Sequence, residues 1–321
     1  MARIDNLLNL LSEQKNYLSS FELSKKLKIS PHTIIKTIGL LRRCGYTIET
    51  KRRVGYRLIQ KPDKLYPWEV RFHLVTRKIG YRIIYKQVLE STNTYAIELA
   101  KKGEPEGTCV VSEAQKKGKG RLGRKWISPE GKNIYLSIIL RPQISFSDVH
   151  TLSYLTCLVV TETLETVSTL RPTLKWPNDV LIGEKKISGT LVELSSTLKK
   201  VNFVVVGIGL NVNMEPNDLP EEIKNVATSI YMETGRKYDR AYVCAILLNS
   251  FEKFYLAFLE KGSSFIRTIW EEKAKIKGQA LTVSVGENIV AGLCEGLGDD
   301  GALLLNTPSG TERIYAGDLV V

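Results

Sequence analysis

The tetrapeptide Lys61-Pro62-Asp63-Lys64 interrupts the hydrophobic patterning of the chain and divides it into two parts. Proline cannot continue a helix, and it restricts the residue before it to extended backbone. The residues on either side of the interruption show regular apolar periodicity, whereas the tetrapeptide fits neither the helical nor the strand period. We therefore predict a linker here, a first module over residues 1–62 and a new domain from about Leu65.

The first module contains three predicted helices. An apolar stripe at helical spacing runs from Ile4 to Leu11. Ser19 and Glu22 have the spacing of a capping box, which predicts the start of a second helix. The pair Ser30-Pro31 predicts the start of a third helix, because serine is a favoured N-cap and proline is tolerated at the first helical position.

Two alternating runs follow the third helix, Tyr46–Thr50 and Val54–Ile59, with three cations at the turn between them. This order resembles a winged helix-turn-helix DNA-binding domain, with Ser30–Arg43 as the recognition helix. The resemblance assigns DNA contacts to one helix face and to the turn: Ser30, His32, Thr33, Lys36, Thr37, Arg43, Lys51, Arg52 and Arg53. The alternative is a small helical domain whose basic face is only solvated or contacts a protein.

The charge distribution favours the DNA-binding interpretation. The whole chain of 321 residues carries a formal net charge of +12. Residues 1–63 hold thirteen Lys or Arg against five Asp or Glu, whereas residues 279–321 hold one against six. A basic module of this kind is typical of nucleic-acid binding.

The cysteine content excludes a disulfide scaffold. The five cysteines are odd in number, widely spaced and form no Cys-x-x-Cys pair, so neither a disulfide framework nor a zinc site is predicted. The N-terminus has no signal-peptide pattern, and no apolar run approaches the roughly 18 residues of a membrane span. We expect a soluble protein of the reducing cytoplasm that makes no membrane contact.

The segment Lys117–Lys125 holds three glycines and five cations within nine residues. Glycine lets the backbone approach a ligand closely, and Arg and Lys donate charge-assisted hydrogen bonds to anions. A loop that binds a nucleotide phosphate is therefore one interpretation, although its sequence is neither a P-loop nor a dinucleotide fingerprint. A solvated basic loop and an RNA-contacting arm are equally compatible with the composition.

Three further segments follow in the central part of the chain. Lys175–Asp179 contains a Pro-Asn-Asp run that is either an ordinary turn or a means of presenting two polar side chains. Gly183–Glu193 predicts a hairpin that carries Lys186, and Phe203–Asn213 predicts a buried strand whose glycines would admit a ligand.

These segments resemble the catalytic domain of biotin protein ligases, which attach biotin to a lysine of a carrier protein. The family's order and approximate spacing hold for five motifs: Ser91-Thr92-Asn93, Gly118–Arg124 with Trp126, Lys175–Asp179, Lys186–Gly189 and Gly207–Asn213. One departure is Lys119, which stands where the family usually has arginine and provides a point charge in place of a bidentate fork. The match implies a mixed α/β ligase domain with a class II synthetase-like sheet over residues 66–270.

The resemblance assigns functional residues within this domain. It places biotin and its carboxylate among Ser91, Thr92, Asn93, Gln115, Gly118, Lys119, Gly120, Arg121 and Lys186. It places the nucleotide near Arg124, Trp126, Lys175, Asn178 and Asn211. The catalytic residues that it implies are Arg121, Lys186 and Asp179, with Asp179 as a contact for Mg²⁺.

The implied chemistry has two steps. Biotin and MgATP give biotinoyl-5′-AMP, and a lysine of a biotin carboxyl carrier protein then attacks the adenylate. The same resemblance implies that the adenylate-bound protein forms a homodimer that represses biotin genes at operator DNA. Two alternatives remain, a lipoate ligase of the same fold and a transcription factor that only senses a small molecule.

Four short strand-like runs with intervening turns follow from Ala280 to the C-terminus. Residues 275–321 therefore resemble the SH3-like C-terminal β-barrel of the same family. The complete expectation is an α+β multidomain chain with a winged helix-turn-helix, a ligase domain and this barrel in succession.

Overall fold

The computed structural model describes residues 2–14, 16–197 and 200–320. Met1 and Val321, the outer ends of the two predicted terminal domains, lie outside the described residues. Along the described chain, a helical unit with a hairpin comes first, a seven-stranded sheet covered by helices follows, and a five-stranded sheet comes last.

The N-terminal unit has the predicted order of elements. These are α1 (Ala2–Glu13), α2 (Ser20–Leu27), α3 (Pro31–Arg43), β1 (Thr47–Lys51) and β2 (Gly55–Gln60). The Ser19 capping box is present at the start of α2, and Ser30 Oγ accepts a hydrogen bond of 3.2 Å from the backbone N–H of Thr33. Local capping chemistry therefore sets where these helices begin.

The hairpin is attached firmly to the third helix. The Arg42 guanidinium donates to the carbonyl of Ile48 at 2.6 Å and to Thr50 Oγ1 at 2.5 Å. Leu23 and Ile34 are fully buried within the helical core beneath. The hairpin is thus held as a wing beside α3, as the winged helix-turn-helix interpretation requires.

The central unit is built on a mixed sheet with the strand order β3-β4-β5-β9-β8-β7-β6. Only β3 and β4 run parallel, and the other neighbours are antiparallel. Its elements are α4 (Pro67–Arg71), β3 (Ile83–Leu89), α5 (Thr92–Lys101), β4 (Cys109–Gln115), β5 (Ile134–Leu140), α6 (Thr151–Val167), β6 (Pro172–Lys175), β7 (Asp179–Ile182), β8 (Lys185–Thr197), β9 (Lys200–Leu210), α7 (Ile230–Thr234) and α8 (Arg240–Ala274).

Helices cover both faces of this sheet. On one face, Ala96 of α5 packs with Ile139 and Val205, and on the other face Val206 belongs to the large core that includes α6 and α8. Successive residues of a strand point to opposite faces. Ser137 and Gly207, two residues from Ile139 and Val205, therefore lie on the α5 face, beside the N-terminus of that helix.

Helix α8 has the length and apolar composition of a membrane span, but it is a core helix in this fold. Just over half of its most apolar stretch, 56%, is buried inside the protein, and Phe251 and Trp270 are fully enclosed. A kink at Gly262, with φ of 80°, divides it into two segments.

The C-terminal unit contains the four predicted strands and one that was not predicted. They are β10 (Ala280–Val285), β11 (Asn288–Leu297), β12 (Leu303–Thr307), β13 (Gly310–Ile314) and β14 (Asp318–Val320). The antiparallel order β13-β12-β11-β10-β14 leaves β13 and β14 as edges, so the strands do not pair into a closed barrel, and this arrangement is consistent with the SH3-like fold that the sequence predicts. Strand β14 was missed because three residues are too short to show a period.

Polar contacts join the linker to the central unit. Arg240, whose side chain is fully buried, donates to Asp63 Oδ2 at 3.0 Å and to Glu113 Oε2 at 2.9 Å. A second contact spans the linker, because Tyr46 of the N-terminal unit donates to Glu69 of α4 at 2.5 Å. Burial together with that carboxylate raises the pKa of Tyr46. The N-terminal unit and the linker are therefore docked on the central unit by buried hydrogen bonds.

Candidate functional site

A pocket opens on the α5 face of the sheet, between the N-terminus of α5, the basic glycine loop and the β7–β8 hairpin. Twelve of the predicted site residues line it: Ser91, Thr92, Asn93, Gln115, Lys119, Gly120, Arg121, Arg124, Trp126, Asn178, Asp179 and Lys186. Three segments that are distant in the sequence thus converge on one cavity. Gly118, another predicted residue, does not line the pocket. It lies at the start of the loop, where its backbone packs against the carbonyl of Trp126.

The N-terminus of α5 forms one wall. Ser91 is the N-cap, with its Oγ 3.5 Å from the backbone nitrogen of Thr94. The backbone N–H of Thr92 donates to Gln115 Oε1 at 2.8 Å, and Gln115 Nε2 donates to Ser128 Oγ at 3.0 Å. These contacts hold the hydroxyls and the amide of this wall in a defined arrangement.

Asn93 is bound to the sheet by its whole side-chain amide. Its Nδ2 donates to the carbonyl of Leu191 at 3.2 Å and to Glu193 Oε2 at 2.8 Å, and its Oδ1 lies 2.5 Å from Ser137 Oγ. An asparagine amide has only two hydrogens, and both are used here. The predicted biotin contact therefore has no amide hydrogen left for a ligand.

The glycines of β9 make room for side chains of the protein itself. A Cβ at Gly207 would lie 2.2 Å from Asn93 Oδ1, and one at Gly209 would lie 2.4 Å from Trp126 Cε2. The sequence predicts that these glycines admit a ligand, whereas in the structure they accommodate Asn93 and the indole of Trp126. The buried Nε1 of that indole has no hydrogen-bond partner among the described residues.

An ion pair lies at the β7–β8 hairpin. Lys186 Nζ is 2.7 Å from Asp179 Oδ1 and 5.4 Å from the centre of the Trp126 ring. No group of three or more His, Cys, Asp or Glu side chains arranged to hold a metal is found in residues 2–14, 16–197 and 200–320. Asp179 therefore offers a single carboxylate, which is enough only where substrate oxygens complete the coordination.

Arg121 is an isolated cation in the pocket wall. Its Nη1 donates to Asn178 Oδ1 at 3.2 Å, and burial lowers the pKa of its guanidinium. Along the described parts of the chain, no carboxylate lies within ion-pair distance of Arg121. By contrast, Arg124 forms a bidentate pair with Asp318 of β14, at 3.1 and 2.5 Å.

A second, more apolar pocket lies on the other side of Trp126. Its lining includes Lys125, Trp126, Ile127, Lys186, Asn211, Met214, Leu219, Pro220, Glu222, Ile223, Val226 and Ala227. The Asn211 amide donates to the carbonyl of Thr228 at 2.9 Å and accepts from Asn133 at 3.1 Å. Lys175, at the end of β6, lines neither pocket.

Several residues at this site were not found from the sequence. Ser137 and Glu193 bind Asn93 from neighbouring strands, Ser128 binds Gln115, and Asp318 binds Arg124. A signal existed for Ser137, because it is the one small polar residue within the run of aliphatic and aromatic residues Ile134–Leu140. Asp318 had no local signal, since only folding brings β14 to the loop.

The predicted DNA-binding residues fall into two groups. Cations and His32 are exposed on α3 and the wing: His32, Lys36, Arg43, Lys51, Arg52 and Arg53. The hydroxyls instead support the helix, because Ser30 caps it and Thr37 Oγ1 donates to the carbonyl of Thr33 at 2.8 Å. The exposed surface of α3 and the hairpin turn thus carries positive charge where a winged helix-turn-helix would contact the phosphates of a DNA duplex.

Three stretches of the chain match known families. Residues 3–57 match the HTH domain, residues 85–211 the Biotin/lipoate A/B protein ligase family, and residues 278–321 the Biotin protein ligase C terminal domain. Over 315 residues the chain is 40% identical to the bifunctional ligase/repressor BirA of Bacillus subtilis (strain 168), covering 98% of this chain and 97% of the relative. The chain belongs to the family of bifunctional biotin ligase/repressors.

Other members of the biotin ligase family show the same relationship. The bifunctional ligase/repressor BirA of Escherichia coli (strain K12) is 29% identical over 89% of this chain and 87% of its own length. The solved biotin protein ligase from Aquifex aeolicus in complex with biotin and ATP matches with a TM-score of 0.64 and 35% identity, over 75% of this chain and 98% of that one. The fold class expected from the sequence is confirmed.

Proposed function

We propose that this protein is an ATP-dependent biotin protein ligase that also binds DNA as a repressor of biotin genes. The observation that carries the ligase function is the half-buried Arg121 guanidinium, which in the described parts of the chain donates to the neutral amide of Asn178 and forms no direct ion pair. A partly desolvated cation without a direct ion-pair partner favours an anionic ligand, because removing a charge from water is costly unless an opposite charge compensates it. Biotin carboxylate and the phosphates of ATP are such anions.

The two pockets account for the two substrates. The wall of Ser91, Thr92 and Gln115 offers hydroxyl and amide groups suited to the ureido ring of biotin. The apolar pocket that contains Asn211 suits the adenine and ribose of ATP. Trp126 separates them, and its unpaired buried N–H favours a rearrangement when ligands bind, because such donors are normally satisfied.

In the first step, an oxygen of the biotin carboxylate attacks the α-phosphorus of ATP. A new P–O bond forms, the bond to the β-phosphate breaks, and pyrophosphate leaves. Arg121 and Lys186 stabilise the charge that develops on the phosphate, as preorganised donors do in a water-poor pocket. Lys186 must then exchange its Asp179 contact, 2.7 Å in this structure, for a substrate oxygen.

In the second step, the amine of a carrier lysine attacks the carbonyl carbon of biotinoyl-5′-AMP. The C–O bond to the phosphate breaks, AMP leaves, and the amine gives up a proton to form the amide. The loop Lys117–Lys125 shields the adenylate from water until then. Neither step requires a nucleophile from the enzyme, because the biotin carboxylate and the carrier lysine are the attacking groups.

Mg²⁺ enters as part of its substrate complex with ATP and neutralises phosphate charge. Asp179 fits this ion as one carboxylate ligand beside substrate oxygens. When Lys186 turns to the substrate, it leaves the Asp179 carboxylate, which is then free to contact Mg²⁺. The biotin carboxyl carrier protein or a similar biotin-accepting domain is the acceptor.

The N-terminal unit supplies the second function. Its exposed cations on α3 and the wing are placed to bind operator DNA, and a homodimer formed in the adenylate-bound state matches a two-fold operator. Biotinoyl-5′-AMP then serves as corepressor. We place the protein in the cytoplasm, where its five free cysteines remain reduced.

The decisive experiment is mass spectrometry of small molecules bound to the purified protein after incubation with MgATP and biotin, with lipoate in a parallel reaction. Biotinoyl-5′-AMP formed only with biotin is the expected result. An adenylate formed from lipoate alone would make the protein a lipoate ligase, and no adenylate from either acid would leave a DNA-binding sensor. A mobility-shift assay with and without biotin and MgATP tests the corepressor function, and equal DNA affinity in both states would contradict it.

A further inference from the structure

A chain of polar side chains runs across the α5 face of the sheet, from the half-buried Glu193 of β8 to the biotin wall. Glu193 Oε2 accepts from Asn93 Nδ2, Asn93 Oδ1 lies 2.5 Å from Ser137 Oγ, and Ser137 Oγ lies 2.8 Å from Thr92 Oγ1. Ser137 is fully buried, and Asn93 and Thr92 are nearly so. Thr92 and Asn93 are the two members of this chain that are predicted to contact biotin, and of these two Thr92 still has hydrogen-bonding capacity toward the pocket.

The orientation of the Asn93 amide is determined by its neighbours. Glu193 Oε2 and the carbonyl of Leu191 can only accept hydrogen bonds, so the nitrogen of Asn93 must face them. The oxygen of Asn93 therefore faces Ser137. Because an amide oxygen can only accept, the hydroxyl hydrogen of Ser137 must point to Asn93 across the 2.5 Å contact.

Ser137 has only one hydrogen, so it cannot also donate to Thr92. The Thr92 hydroxyl lies 2.8 Å from Ser137 Oγ and 3.1 Å from Gln115 Oε1, and its hydrogen is given to one of these two acceptors. An amide oxygen has two lone pairs, so Gln115 Oε1 can accept from the Thr92 hydroxyl and from the Thr92 backbone N–H together. The Thr92 hydroxyl consequently directs its hydrogen into the protein and its lone pairs toward the pocket.

We propose that Ser137 and Glu193 are positioning residues that hold the Thr92 hydroxyl as a hydrogen-bond acceptor for a ureido N–H of biotin. This inference rests on the proposed function, since biotin is the ligand. A ureido ring has two N–H donors and one carbonyl acceptor. A hydroxyl that only accepts selects an N–H and rejects a ligand with an acceptor at the same place, because two acceptors in contact are left unpaired.

The test measures biotin affinity by isothermal titration calorimetry for the full chain and for Ser137→Ala. We expect at least tenfold weaker binding of biotin, which corresponds to about 1.4 kcal/mol. The KM for ATP should change less than twofold. The control is Ser250→Ala, a buried serine that donates to Glu162 at 2.9 Å far from the pocket, and it should bind biotin as the unmodified protein does.

Two biotin derivatives, each methylated at one ureido nitrogen, show whether the effect passes through the acceptor. For one of them, the loss of affinity relative to biotin should be at least fivefold smaller in Ser137→Ala than in the unmodified protein. Equal losses for both derivatives in the two proteins would overturn the inference. In that case Ser137 would only support the fold.

The Glu193 variants provide a second test that does not depend on the folding of Ser137→Ala. Glu193→Gln retains an acceptor for Asn93 and should bind biotin within twofold of the unmodified protein, whereas Glu193→Leu should bind it at least threefold more weakly. Equal affinities of the two variants would contradict the role of Glu193. Failure of the unmodified protein to bind biotin would instead refute the proposed function, so the two failures are distinguishable.

Discussion

Replacing Gly207 by alanine should destabilise the ligase domain through a single contact. The added Cβ would lie 2.2 Å from Asn93 Oδ1 and 2.8 Å from Asn93 Cγ, which is far inside van der Waals contact. Asn93 has little room to move, because Ser137, Leu191 and Glu193 bind its amide. The strand must therefore shift or the amide must leave its three partners.

The size of the effect follows from these contacts. Overpacking a close-packed interior costs about 1–3 kcal/mol. Losing the buried hydrogen bonds of the amide adds about 1 kcal/mol for each bond. We expect Gly207→Ala to lower the free energy of unfolding of the central domain by about 4–6 kcal/mol, the sum of the overpacking cost and of the three amide hydrogen bonds. Biotin affinity should fall as well, because Thr92 is held through the same network.

Urea unfolding followed by tryptophan fluorescence measures the effect, and a double-mutant cycle with Asn93→Ala identifies its cause. In the Asn93→Ala background the new methyl enters space that the amide has vacated. The cost of Gly207→Ala should then be smaller by at least about 2 kcal/mol, since contacting residues couple on this scale. The same cost in both backgrounds would refute the reasoning, because the clash with Asn93 would not be its origin.

Four further variants test other parts of the structure. Arg121→Gln should slow adenylate formation about 10²-fold in single-turnover assays without lowering the melting temperature, since it removes a transition-state donor that has no ion-pair partner in the described chain. Arg240→Met should lower the urea unfolding free energy by about 3–5 kcal/mol, because it leaves Glu113 buried and unpaired. Arg52→Ala should reduce the slope of log affinity for DNA against log salt by about 0.9, and an unchanged slope would remove the wing from the interface. Asp318→Asn should change stability by less than about 1 kcal/mol, as its pair with Arg124 is exposed, and a larger loss on thermal melting would contradict this.

The N-terminal unit shows which structural features local chemistry specifies. Ser19 and Ser30 begin their helices where their capping chemistry predicts, and the basic turn lies between two strands as the alternation indicates. Each of these signals involves residues within a few positions of one another. Such signals can be recognised in the sequence because no distant partner is needed.

The central site shows the opposite case. The motifs containing Thr92, Arg121 and Lys186 were found from the resemblance, and the fold brings them to one pocket. Their hydrogen-bond partners were not found, because Ser137 and Glu193 come from other strands. Only the register that places Ser137 opposite Gly207 creates the space in which Asn93 binds.

The sequence by itself determined the succession of three units, the starts of the capped helices α2 and α3 and the set of residue types that a biotin ligase requires. These depend on capping, periodicity and motif order, which are properties of neighbouring residues. The tertiary structure alone decided that Gly207 and Gly209 accommodate Asn93 and Trp126, that Arg124 pairs with Asp318, and that the last sheet stays open. Strand pairing and burial set these contacts, and both depend on residues far apart in the chain.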